Sequence, residues 1–63
     1  MSIAENICKL QAEKGESNYR LAKALGVHCT SIKNWKTGKN QPMGVYTEKL
    51  AEHFGVSVEA LKE

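Results

Sequence analysis

The chain has 63 residues, a formal net charge of +2, 41% hydrophobic and 25% charged residues. That mix is ordinary for a globular domain and argues against disorder. A chain this short buries only about 60% of its extended surface, so it builds one small core and has little room for a deep substrate pocket. No apolar run exceeds two residues, which excludes a transmembrane helix or a signal-peptide core. The expectation is a single cytoplasmic domain over residues 1–63, with Cys8 and Cys29 as reduced thiols.

The first predicted element is an amphipathic helix over 3–14. Ile3, Ile7 and Leu10 recur at helical spacing, Ser2 is placed to cap it and Gly15 to stop it. A second helix covers 18–25, capped by Ser17 and ended by Gly26, with Leu21 and Leu25 as its apolar stripe and Ala22 and Ala24 as small neighbours. A third covers 29–37, between Gly26 and Gly38, anchored by Ile32 and Trp35 on one face. Gly38 to Pro42 is a loop rich in turn formers. A fourth helix covers 44–54, with Tyr46, Leu50, Ala51 and Phe54 inward and Gly55 as terminator, and a short fifth is capped by Ser57 and anchored by Leu61. No segment alternates with period two long enough for a strand. The fold class expected is all-α, a compact five-helix domain with short links.

The small net charge hides a segregation. Residues 1–16 sum to −1 and residues 42–63 to −2, whereas 17–41 carry Arg20, Lys23, Lys33, Lys36 and Lys39 and no acid, a sum of +5. A basic stripe between acidic ends suits either a solvated surface or a face that meets a polyanion. The same stretch satisfies the demands of a helix-turn-helix. Ala22 allows a close crossing, Gly26 allows a tight turn, and Leu21, Leu25, Val27, Ile32 and Trp35 supply the shared core.

With those residues in view, the chain resembles the lambda-repressor-like (Cro/repressor, XRE) helix-turn-helix family, particularly small regulators of bacteria and prophages. The resemblance is carried by Asn18-Tyr-Arg-Leu-Ala-Lys-Ala-Leu-Gly-Val27, Thr30-Ser-Ile-Lys-Asn-Trp-Lys-Thr-Gly-Lys39 and Lys49-Leu-Ala-Glu-His-Phe-Gly-Val-Ser-Val58. It implies a five-helix domain that binds double-stranded operator DNA as a homodimer and regulates transcription, in most such cases as a repressor. Two departures stand out. Glu16 takes the place of a residue that is usually apolar, and Gly44 and Thr47 lie where helix four is usually apolar, a deficit that Met43, Val45 and Tyr46 are placed to offset.

Successive helix positions rotate by about 100°. If Ile32 and Trp35 face inward, with His28 and Ser31 nearby, then Thr30, Lys33, Asn34 and Thr37 face out, flanked by Cys29. That outer face has hydrogen-bonding groups, one cation and no carboxylate. Asn suits adenine, Lys suits guanine and Thr suits a thymine methyl or a mixed contact, so Cys29, Thr30, Lys33 and Asn34 are the expected base readers. Phosphate contacts are expected on both flanks. Asn18 stands at the start of helix two, where amides and the helix dipole favour an anion. Tyr19 either adds its hydroxyl there or lays its ring over the helix-one junction. His28 is an unusual N-cap suited to phosphate when protonated. Lys36, Thr37, Lys39 and Asn40, with free amides in the Gly38 loop, form the far clamp.

Other signals are weaker. His28 and Cys29 are adjacent and diverge around the helix, so they do not readily chelate one ion, and no Cys-x-x-Cys or His-x-x-x-His pair occurs. No metal, cofactor, small-molecule substrate or membrane partner is expected, and no acid–base or nucleophile set suggests an enzyme. Cys8 is expected in or beside the core, and Trp35 is a core anchor rather than a stacking platform. Val56 and Val58 either join a dimer patch or complete the chain's own core. The competing function is an antitoxin or anti-repressor type of protein-interaction module on the same fold.

Overall fold

The structure is a computed structural model and describes residues 2–63. Five helices follow in order among those residues: α1 Ile3–Lys14, α2 Asn18–Leu25, α3 Cys29–Thr37, α4 Gly44–Phe54 and α5 Val58–Lys62. The core takes one fully buried branched aliphatic side chain from each helix: Ile7, Leu21, Ile32, Leu50 and Leu61. Ala22, Leu25, Trp35 and Ala51 fill the space between them. No helix of the described residues is long and apolar enough to cross a membrane.

Short helices depend on their ends, and these ends are well supplied. The hydroxyls of Ser2, Ser17 and Ser57 accept from the amides of Glu5, Arg20 and Ala60. Each satisfies a donor that the first helical turn leaves orphaned. In the turn between α2 and α3, Gly26 has φ +73°. A β-carbon there would meet nothing within 4 Å, so glycine is required for its backbone conformation and not for space.

Polar ties complete the packing. Asn6 is buried on α1, and its Nδ2 donates to the carbonyl of Leu61 at 2.7 Å, which fixes α5 across the start of the chain. Glu16 does not leave an apolar gap. Its carboxylate accepts from Nε2 of His53 at 2.8 and 3.0 Å, so a polar pair ties the α1–α2 link to α4.

The α4 deficit is resolved differently from the sequence expectation. Met43 and Val45 are 75% and 59% exposed and do not offset it. Thr47 itself is buried, and its hydroxyl is placed to donate to the carbonyls of Pro42 and Met43. Its methyl then fills the interior while the hydroxyl stays satisfied, the condition for burying a polar group without large cost. Tyr46 does contribute: its ring lies 5.7 Å from that of Trp35, centroid to centroid, a favourable aromatic spacing.

The α1 cap generates a pH prediction. Ser2 donates its backbone N–H and its hydroxyl to Glu5 Oε1 at 3.1 and 3.2 Å. The backbone bond first, then the hydroxyl, holds the Glu5 carboxyl below the usual carboxylate range. A depressed folded-state pKa adds stability above the unfolded value, and that stability is lost as pH falls through the folded value. A Glu5→Gln variant keeps a neutral acceptor at this position. Thermal melts should therefore show the wild type losing more stability than Glu5→Gln as pH is lowered from about 5 into the acid range.

Candidate nucleic-acid interface

The rotation of α3 is set by two buried anchors. Ile32 is fully buried and Trp35 is 6% exposed, and they hold α3 against α1 and α2. Thr30, Lys33 and Thr37 are consequently exposed, and Asn34 is half-buried. Cys29 is half-buried and packs against the core, so only part of it is presented outward. The exposed side of α3 thus carries Thr30, Lys33, Asn34 and Thr37 together, the grouping that helical geometry predicted.

At its N-terminus, His28 caps α3 with its ring. The amide of Thr30 donates to Nδ1 at 3.1 Å. An amide can only donate, so Nδ1 accepts and the ring proton sits on Nε2. The hydroxyl of Thr30 lies 3.0 Å from the same nitrogen. In this cap Nδ1 is the acceptor.

On the α2 side, Asn18 and Tyr19 open the helix. Tyr19 is 64% exposed. Asn18 is half-buried, and its Oδ1 accepts from Nε2 of Gln11 at 2.8 Å and from Nζ of Lys36 at 2.9 Å. Lys36 therefore reaches from α3 to the first residue of α2. The α2 helix has no acid in its first turn and neither has α3, so the positive end of neither dipole meets a carboxylate there.

No family model matches the chain, and no curated protein matches its sequence. Its backbone is similar to solved structures. A transcriptional regulator from Listeria innocua is 28% identical with a TM-score of 0.92, over 97% of this chain and 57% of that one. The N-terminal DNA binding domain of SinR from Bacillus subtilis is 27% identical with a TM-score of 0.83, over 94% of this chain and 87% of that one. The chain has the lambda-repressor-like helix-turn-helix fold. It spans a little over half the length of the Listeria innocua regulator.

The far end of the helix-turn-helix is tighter than the sequence suggested. The amides of Gly38 and Asn40 are not free, because they donate to the carbonyls of Trp35 and Asn34. The hydroxyl of Thr37 is placed to donate to the Asn34 carbonyl. What this end offers outward is the exposed side chains of Lys39 and Asn40. Arg20 and Lys23 are also exposed, on α2. Among the described residues, the one contact of a carboxylate with a basic side chain within ion-pair distance joins Glu16 to His53, so the basic stripe is not neutralised from within the chain.

Sequence reasoning passed over one buried residue behind this surface. Gln11 is 3% exposed and reaches Asn18 from α1. Its signal was present: it stands four residues after Ile7, on the apolar side of an amphipathic helix, where an amide needs a specific partner. The partner could not be named from the sequence because it lies beyond the α1–α2 turn.

Proposed function

We propose that this chain is a sequence-specific DNA-binding regulator of transcription that acts as a repressor. In this reading α3 enters the major groove of a pseudo-palindromic operator and the protein binds as a homodimer. The observation that carries the reading is the acid-free surface of α2 and α3, held outward by the burial of Ile32 and Trp35. The likeness to a transcriptional regulator and to a DNA binding domain supports it. A purely protein-facing surface has no need to exclude carboxylates over so long a stretch, which weighs against an antitoxin-type module.

Within this reading Thr30, Lys33 and Asn34 read base edges, with Cys29 contributing at the margin. Asn18, Tyr19, His28 and Lys36 meet the phosphates of one flank, and Thr37, Lys39 and Asn40 those of the other. No catalytic step, cofactor or small molecule enters it. In this reading the second copy docks near the start of α4. Val56 and Val58 are packed against the core, whereas Met43 and Val45 remain exposed for contact with a second copy.

Selection of bound duplexes from a random pool, at stated salt, tests the central claim. The expected result is a two-fold symmetric consensus with half-sites about one helical turn apart. Failure to retain any duplex at low salt would remove the proposal. Asn34→Ala should cost about 1–3 kcal/mol of binding and relax preference at one base pair. A uniform loss over all sequences would make Asn34 a phosphate contact instead. Lys39→Ala should weaken specific and non-specific binding alike and reduce the salt slope by about one. Sedimentation of the free protein should show a dimer that Met43→Ser and Val45→Ser shift toward monomer.

A further inference from the structure

We infer that Gln11, which lies outside the helix-turn-helix, is a positioning residue for the phosphate contacts on the α2 flank. The inference rests on the reading just proposed. Gln11 is almost wholly buried, and a primary amide placed there needs a partner that repays its lost hydration. The partner is Asn18, whose Oδ1 it meets at 2.8 Å.

The same oxygen accepts from Lys36 at 2.9 Å. A carbonyl oxygen has two lone pairs, so both are filled. Gln11 Nε2 and Lys36 Nζ can only donate, which decides the orientation of the Asn18 amide. Oδ1 must face them, and Nδ2 must take the other branch of the planar group. Asn18 therefore presents a donor pair rather than an acceptor to an approaching phosphate. An acceptor there would repel it.

Lys36 gains its place from the same arrangement. It lies in the last turn of α3, yet its ammonium is drawn beside the first residue of α2. One of its three donors is used on Asn18, and two remain for an anion. The thiol of Cys8 lies 3.9 Å from the Lys36 carbonyl, so α1 touches this residue at both its backbone and, through Asn18, its side chain. Gln11 is the buried post on which the group stands: it meets no nucleic acid itself and acts through Asn18.

The test is a double-mutant cycle. Wild type, Gln11→Met, Asn18→Ala and the double variant are titrated with the selected duplex and an unrelated duplex, over a salt series, well below each melting temperature. Methionine keeps the volume and removes the donor. Gln11→Met should lose about tenfold in affinity for both duplexes, with base preference unchanged. In the Asn18→Ala background the same change should cost less than about twofold. A lowered melting temperature with unchanged affinity, or a loss that persists without Asn18, would overturn the inference. In the free protein, the Gln11 side-chain amide should be protected from exchange in wild type and unprotected in Asn18→Ala. An unprotected Gln11 in wild type overturns the geometry directly. A wild type that binds neither duplex removes the proposed function and this inference together. A wild type that binds while Gln11→Met binds equally removes the inference alone.

Discussion

Burial of Ile32 and Trp35 is the constraint on which the rest of the surface depends. The α3 helix has nine residues, too few to be stable by itself in water. Packing has to hold it, and packing through two residues three apart leaves one permitted rotation. That rotation decides which side chains remain outside. Thr30, Lys33, Asn34 and Thr37 are outward because the indole and the isoleucine cannot be. The turn upstream contributes the second condition, since Gly26 in the left-handed region redirects the chain so that α3 packs against α2.

Buried polar groups then specify what apolar packing leaves undecided. Hydrophobic contacts tolerate small rotations and slides, whereas a buried amide tolerates few arrangements because an unmade bond is costly. Asn6 fixes α5 through the Leu61 carbonyl, Thr47 fixes the entry to α4 through the Pro42 carbonyl, and Gln11 fixes Asn18. All three tie a helix to an element or loop outside it. In a chain with so small a core, these ties set angles between helices that five large aliphatic side chains alone would leave loose.

This division also explains what was legible in the sequence. The helix ends were, because serine caps and glycine stops bracket most elements and act locally. The rotation of α3 was, because two anchors suffice to define it. The start of α4 was less so: its N-cap Met43 makes no side-chain hydrogen bond, and burial of Thr47 depends on a loop carbonyl that no periodicity reveals. The contact of Lys36 with Asn18 was not legible for a related reason. Its position on α3 is plain, but its long side chain reaches back across the α2–α3 unit to Asn18. The amides of Gly38 and Asn40 seemed available because a glycine loop suggests open backbone, and the structure spends them on closing α3.

The acids show the same logic from the opposite side. Glu5 and Glu59 occupy the first turns of α1 and α5, where a carboxylate favours the positive end of the helix dipole. Glu16 is taken up by His53. The α2 and α3 helices forgo that local stabilisation, and their exposed cations go without carboxylate partners. Each omission costs little alone, since surface pairs contribute on the order of 1 kcal/mol or less. Together they leave two helix N-termini that meet no carboxylate in their first turns and five basic side chains on adjoining elements. A surface of this kind is stable but unfinished electrostatically, and an anionic partner lowers its energy by supplying the charge that the fold itself withholds. Under the proposed reading the phosphates of a duplex do this on both flanks of α3, leaving Thr30, Lys33 and Asn34 between them to discriminate among base pairs.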